Sequence, residues 1–169
     1  EAGVPNLTFT LTNRNVAMPY TPVGVFLIDQ WRQIGVNVKH EQLETRLYLA
    51  AQQRDNPTFD AALDFNCDFM DEANLQLQKY LSHDRSSINY AQQTDRVLDE
   101  LYDKQSGELD KKKPYAILRE FEKRTLEQAY TVPTIWWHRI VVHHRPLKGW
   151  HITPSHYVGQ DLADVWLDQ

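Results

Sequence analysis

An acidic segment set among aromatic and apolar residues offers the most suggestive chemistry in the chain. It covers residues 65–72 (FNCDFMDE). It begins at the last residue of a stretch, residues 59–65, that has the pattern of a short β-strand. Ligands of open α/β sheets tend to bind at the carboxyl ends of strands. A carboxylate held there can pair with an ammonium group, while aromatic rings cover the apolar part of the ligand. An ordinary acidic loop, with an aspartate capping the next helix, explains the same residues equally well.

Histidines near the end of the chain offer a second kind of chemistry, metal binding. They are His138, His143, His144, His151 and His156. Their spacing matches neither an HExxH motif nor a zinc-finger pattern, and adjacent histidines of an extended segment point to opposite faces. We therefore expect surface and interdomain histidines and no metal site, with opportunistic binding of nickel or zinc as the alternative.

Nucleophilic and phosphate-binding motifs are absent from the sequence. There is no Gly-x-Ser-x-Gly elbow, and the six glycines are too scattered to form a phosphate-binding loop. Cys67 is the single cysteine, which excludes an internal disulfide and predicts a small buried thiol. We expect neither an enzyme nor a bound cofactor.

Composition and charge bound the class of protein. The chain has 169 residues, is 41% hydrophobic and carries a formal charge of −5. This length and apolar content predict one globular domain, or at most one domain with a tail, and no apolar run approaches the ~20 residues that span a bilayer. A mildly acidic chain without a basic stripe is poorly suited to nucleic acid, because it cannot replace the counterions of the phosphates.

Hydrophobic periodicity predicts strands alternating with amphipathic helices. Residues 7–12 alternate as a strand, residues 20–34 have helical spacing that ends at Gly35, and residues 36–40 alternate again. This order predicts a right-handed βαβ unit with parallel strands. The later predicted elements are a helix over 44–53, a strand over 59–65, helical turns within 73–81, helices over 95–105 and 110–129, and extended segments at 131–137 and 140–142. The predicted fold class is α/β.

Several local phrases occur in an order that resembles one known family. They are EAGV (1–4) with LTFTL (7–11), QWRQIGVNV (30–38), FDAAL (59–63), Asp95 with Leu98, Asp110 with Tyr115 and a helix leading to Pro133, and KGW (148–150). Together they resemble the periplasmic solute-binding proteins of peptide-type ABC transporters, the dipeptide and oligopeptide-binding family. The phrase at 30–38 is the most specific of these matches.

The resemblance implies a fold and a domain organisation. Members of this family are longer chains whose two lobes close over the solute, so we expect this chain to be cut from the carboxyl-terminal part of such a protein. The implied fold is a type II periplasmic-binding-protein-like lobe, with a mixed, mostly parallel sheet flanked by helices. Residues 1–137 are expected to form the second lobe, and residues 138–169 a segment that returns towards the first.

The resemblance also implies a function, a location and partners. The chain is expected to capture peptides for an ABC importer in the periplasm, or outside the cytoplasm at the membrane, beside the importer's permease. Asp68 matches the family's aspartate that pairs with the α-ammonium of the peptide. The remaining candidate ligand-binding residues surround it: Phe65, Asn66, Cys67 and Phe69.

Departures from the family pattern leave alternatives open. Phe65 stands where the family usually has tryptophan, and Glu72 where it usually has proline. The solute class therefore includes sugars, metal chelates and opines, and the lobe is alternatively a sensor or interaction module. An isolated lobe exposes apolar segments, which predicts self-association.

Overall fold

The computed structural model of the chain describes residues 6–53, 57–65, 72–108, 114–136, 138, 140–153 and 161–168. It divides the chain into two compact units, Glu1–Asn66 and Cys67–Gln169, called here the first and second unit. Within the described residues, no helix combines the length and apolar character that a membrane crossing requires.

The first unit is built around a parallel sheet of three strands. Its elements in chain order are β1 (Thr8–Arg14), α1 (Tyr20–Gln33), β2 (Asn37–Leu43), α2 (Thr45–Ala51) and β3 (Ala61–Leu63). The strand order is β2-β1-β3, and both pairings are parallel. Leu11, Thr12 and Asn13 of the central strand are buried. The predicted strand-helix-strand unit is confirmed, although the third strand is shorter than expected.

Helix α1 packs on the sheet through a face that the apolar pattern predicted only in part, since the ring of Trp31 contacts that of Phe9 on β1. Its buried residues are Tyr20, Gly24 and Ile28. Phe26, which belongs to the apolar helical pattern, is 61% exposed. A Cβ added at Gly24 would lie 2.8 Å from Nε2 of His40 on β2. The absence of a side chain at this position therefore lets the helix approach the sheet closely.

The second unit is mainly helical in its described parts. Its elements are α3 (Ala73–Leu77), a 3-10 turn (Gln78–Tyr80), α4 (Arg96–Gly107), α5 (Pro114–Gln128), β4 (Leu147–Lys148) and β5 (Trp166–Leu167). The strands β4 and β5 pair antiparallel. The buried apolar core joins the two long helices to the segment before them through Leu81, Leu98, Leu101 and Phe121.

Buried polar groups fix the loop between the 3-10 turn and α4. Asp95 caps α4, because its side chain accepts hydrogen bonds from the backbone N–H groups of Val97 and Leu98. Asn89 is 1% exposed and donates to the carbonyl oxygens of Leu81, at 2.7 Å, and Gln93, at 3.1 Å. This loop is therefore ordered by side-chain hydrogen bonds rather than by regular structure.

The segment after α5 differs from its prediction. The described residues of 131–142 have no regular secondary structure, so the extended segments predicted at 131–137 and 140–142 form no strand within the described residues. Their apolar side chains are exposed, with Trp136 at 95% and Val142 at 91%. Alternation and β-propensity predict a strand only where a partner strand is available, and none of the described residues pairs with this segment.

Candidate functional site

The carboxyl edge of the three-stranded sheet brings the ends of two distant chain segments together. Asn13 near the end of β1 lies opposite Leu63 at the end of β3 in the parallel register. Residues at the ends of these strands, or directly after them, therefore share one edge of the sheet. Ligands of α/β sheets tend to bind at this edge. The side chains of Arg14, Asp64 and Phe65 lie there, and we call these three residues the edge cluster.

An ion pair forms the base of the edge cluster. Nη2 of Arg14 lies 3.0 Å from Oδ1 of Asp64, and the two side chains are 17% and 23% exposed. Burial lowers the pKa of the Arg14 guanidinium, but the hydrogen bond and negative charge of Asp64 outweigh burial, so that the pKa is raised above its ordinary value. Arg14 is therefore a permanently charged group held in place by a carboxylate.

Three aromatic rings surround the same guanidinium. Its central carbon lies 4.8 Å from the ring centre of Phe65, 4.9 Å from that of Tyr20 and 5.7 Å from that of Tyr48. These distances lie within the range of cation–π attraction, which strengthens when water is excluded. The rings of Tyr20 and Phe65 also contact each other, with centroids 6.2 Å apart. The guanidinium of Arg14 and the surrounding aromatic rings thus hold one another in place.

A second set of contacts joins the end of β3 to helix α2. The hydroxyl of Tyr48 donates to the carbonyl oxygen of Leu63 at 2.9 Å. Nε2 of Gln52 donates to the Tyr48 hydroxyl at 2.9 Å and lies 3.4 Å from Oδ2 of Asp64. Tyr48 and Gln52 are both buried. The Asp64 carboxylate is therefore oriented from β1 on one side and from α2 on the other.

A further polar contact links β2 to the end of β1. Nε2 of His40 contacts Oδ1 of Asn13, and Nδ2 of Asn13 donates to the carbonyl oxygen of Arg14 at 2.8 Å. Burial lowers the pKa of His40 below its ordinary value. The neutral imidazole is the form that matches this packed environment.

The predicted ligand-binding residues fall mostly outside the described residues. Asn66, Cys67, Asp68 and Phe69 all lie there, and their predicted roles stay predictions. Phe65 is described, and it lies at the carboxyl edge with one side of its ring near Arg14 while 47% of the residue is exposed. Its predicted contact with a ligand also stays a prediction.

The acidic segment also supplies a helix cap. The carboxylate of Glu72 accepts a hydrogen bond of 3.2 Å from the backbone N–H of Asn74 at the start of α3. A capping carboxylate, the alternative explanation of this segment, is therefore present, although it is a glutamate and not an aspartate. Asp68 and Glu72 are separate residues, so the cap leaves the predicted role of Asp68 open.

Sequence reasoning missed Arg14, Asp64, Tyr48 and Gln52. The strand predicted over residues 7–12 ended before Arg14, yet β1 continues through it. The signal that could have been used is a charged residue at the end of a predicted buried strand, where a charge needs a partner. The identity of that partner depends on the register of β1 and β3.

The histidine-rich segment forms no metal cluster in the part of the chain that the structure describes. Nδ1 of His143 lies 3.2 Å from the carbonyl oxygen of His144, and the His143 ring lies 6.2 Å from the ring of Trp150. The described histidines of this segment thus share no metal-binding centre; they are His138, His143, His144 and His151. His156 lies outside the described residues.

Comparison with solved structures finds the same fold in substrate-binding proteins. The periplasmic binding protein DppA of Helicobacter pylori, solved with the peptide STSA, matches 98% of this chain and 32% of its own, with a TM-score of 0.76 and 17% identity. The murein tripeptide binding protein MppA of Escherichia coli matches 73% of this chain and 24% of its own, with a TM-score of 0.65 and 23% identity. This chain has the fold of a type II periplasmic binding protein lobe.

The fold resemblance read from the sequence is therefore confirmed, and the match is confined to part of each longer protein. This chain spans about a third or less of the solved chains that it matches. The nickel ABC transporter protein of Bacillus halodurans also matches, over 77% of this chain and 26% of its own, with a TM-score of 0.61 and 19% identity. A scan against protein-family models finds no match, and a search of the curated proteins finds none.

Proposed function

We propose that this chain forms one lobe of a solute-binding protein that captures peptides for an ABC importer. The observation that carries the proposal is the match of 98% of the chain to a peptide-binding protein solved with its peptide. The edge cluster supports it, because an exposed aromatic ring beside a fixed polar network is the kind of surface on which small solutes bind. The proposal involves binding and release without a chemical step.

The proposed role of each lobe follows from the physics of closure. A bound peptide buries two terminal charges, and each needs a partner to offset its lost hydration. Contacts on two lobes are complete only when the lobes close, so closure follows from ligand binding. Within this chain, residues 1–137 are proposed to form the lobe and residues 138–169 to return towards a first lobe. The exposed side chains of Trp136, Ile140 and Val142 agree with a missing partner.

Location and partners follow from the same proposal. The complete protein would act in the periplasm, or outside the cytoplasm at the membrane, and deliver its solute to a permease. Without the rest of the protein, the exposed apolar residues favour self-association of the chain. A sensor or interaction module built on the same lobe is the alternative, and it predicts solute binding without delivery to a permease.

The proposed ammonium partner is Asp68, by resemblance to peptide-binding relatives. We expect Asp68→Asn, in the protein that contains this chain, to weaken binding of Ser-Thr-Ser-Ala by tenfold or more, because a charge-assisted hydrogen bond contributes about 1.5–3 kcal/mol. The measurement is isothermal titration calorimetry with the free and the N-acetylated peptide. Only the free peptide should lose affinity.

Two outcomes would count against this assignment. Equal losses for the free and the acetylated peptide would remove the ammonium role of Asp68. A wild-type protein that binds Ni²⁺ and no peptide of three to five residues would instead support a metal-related solute, the second candidate raised by the nickel transporter match.

A further inference from the structure

We propose that Arg14 is a positioning residue that sets how Phe65 meets the solute. This inference rests on the proposed function, since it concerns the same carboxyl edge of the first unit. The role differs from that of a ligand contact: Arg14 acts through the two neighbouring residues Asp64 and Phe65, and its charge is already paired.

Arg14 fixes the backbone of Phe65 through Asp64. One carboxylate oxygen, Oδ1 of Asp64, lies 3.0 Å from Nη2 of Arg14 and accepts the backbone N–H of Phe65 at 2.8 Å. A carboxylate that accepts two bonds at the same oxygen has little freedom to rotate. The direction in which the chain leaves β3 is therefore set by an arginine located fifty residues earlier in the sequence.

Arg14 also fixes the ring of Phe65. The guanidinium carbon lies 4.8 Å from the ring centre, close enough for the flat charged group to pack on the aromatic ring. The ring is further restricted by Tyr20, whose centroid lies 6.2 Å away. The same side chain thus restrains both the backbone and the ring of one predicted ligand-binding residue.

The restraint matters because Phe65 remains accessible. The residue is 47% exposed, so part of the ring can cover the apolar part of a solute. A mobile ring would lose conformational freedom on binding, whereas a ring already held by Arg14 loses less. Solute affinity should therefore depend on Arg14 even without direct contact.

Arginine is required here for its shape as well as its charge. A lysine at position 14 keeps a positive charge but lacks the planar guanidinium, which bonds the Asp64 carboxylate and packs on the ring of Phe65 at the same time. Arg14→Lys should therefore lose peptide affinity as Arg14→Met does. A purely electrostatic role would be rescued by lysine.

The test uses these two variants in the protein that contains this chain, with Ser-Thr-Ser-Ala as the probe. We expect each variant to weaken peptide binding by about tenfold in titration calorimetry, the change that accompanies loss of one well-formed contact. The matched control is Arg32→Lys, since Arg32 has a 71% exposed side chain and pairs with Asp29 at 3.6 Å in the same unit. The control should bind within about twofold of wild type.

Hydrogen exchange provides a readout that needs no solute. The backbone amide of Phe65 should exchange at least several-fold faster in Arg14→Lys than in Arg32→Lys, while the amides of β1 and β2 keep their rates. Because this experiment follows the Asp64 bond directly, it tests the role of Arg14 even if the protein binds a solute other than a peptide. Failure of wild type to bind any peptide would overturn the proposed function alone.

Two results would overturn the inference itself. The first is wild-type peptide affinity in Arg14→Lys. The second is an unchanged exchange rate at Phe65, or an equal acceleration at Phe65 and along β1 and β2, which would indicate general destabilisation. Should Arg14→Met fail to fold, the lysine variant and its control carry both measurements.

Discussion

The side chains of Asp95 and Arg124 connect the two long helices of the second unit through a hydrogen bond of 2.9 Å from Nε to Oδ2. Asp95 is the N-cap of α4, and Arg124 belongs to α5. The carboxylate is 2% exposed, whereas the arginine side chain is 35% exposed. One buried carboxylate therefore satisfies the first turn of one helix and aligns the next helix against it.

Replacement of Asp95 by alanine should destabilise the second unit. The variant loses the cap of α4 and the bond to Arg124, and we expect the free energy of unfolding to fall by about 2–4 kcal/mol. The partly exposed arginine can regain water, which keeps the loss below that of a fully buried pair. Urea unfolding followed by circular dichroism measures the change.

The exposed pair Lys123–Glu127 provides the control for Asp95. Its atoms are 3.7 Å apart on the surface of α5, and Glu127→Ala should cost about 0.5 kcal/mol or less. A loss of similar size in both variants would show that the Asp95 network contributes no more than a surface ion pair.

Acidification should destabilise the first unit through His40. Its pKa is lowered by burial from the ordinary value of 6.5. The unfolded chain therefore binds the proton first as the pH falls, and the contribution of neutral His40 is complete above pH ~6.5 and declines below it. We expect the unfolding free energy of wild type to fall between pH 7 and pH 5 more steeply than that of His40→Asn.

The exposed His144 of the second unit gives the control for His40. Since its side chain is exposed, His144→Asn should change the unfolding free energy at pH 7 by less than about 0.5 kcal/mol. Identical slopes for wild type and His40→Asn would contradict the role assigned to burial of His40.

Gly24 should be intolerant of a methyl group despite its place in a helix. Alanine is favoured over glycine in helices by up to about 1 kcal/mol. At Gly24, however, the added Cβ would lie 2.8 Å from Nε2 of His40 and 3.2 Å from Oδ1 of Asn13. We expect Gly24→Ala to lower the free energy of unfolding by about 1–3 kcal/mol, because overpacking outweighs propensity.

Gly107 is the matched control, since a Cβ at this helical position meets nothing within 4 Å. Gly107→Ala should be neutral or slightly stabilising, and thermal unfolding of both glycine variants measures the difference. Equal behaviour of the two glycine variants would mean that α1 does not depend on close approach at Gly24.

Local pattern predicted the order of elements well, and it failed where the answer depended on contacts between distant residues. The end of α1 followed from Gly35, whose φ of +83° suits glycine. The fully buried position Gly24 of the same helix could not be predicted, because it depends on how closely the helix approaches His40 on β2. Apolar spacing favoured Phe26, whose ring is exposed.

The candidate site shows the same division. Phe65 was identified by its position at the end of a predicted strand, which needs only local information. The role of Arg14 needs the pairing of β1 with β3, in which Leu11 lies opposite Ala61 and Asn13 opposite Leu63. A sequence pattern contains no record of that register, so the partner of an isolated charge cannot be deduced from it.

The most direct measurement titrates Ser-Thr-Ser-Ala into the 169-residue chain and, separately, into the protein that contains it. One lobe supplies only part of the contacts, so we expect the chain alone to bind more weakly than millimolar, with a binding free energy less favourable than about −4.1 kcal/mol. The protein that contains it should bind peptides of three to five residues at micromolar concentrations. Micromolar binding by the chain alone, or no peptide binding by the protein that contains it, would contradict the proposal that this chain is one lobe of a peptide-capturing protein.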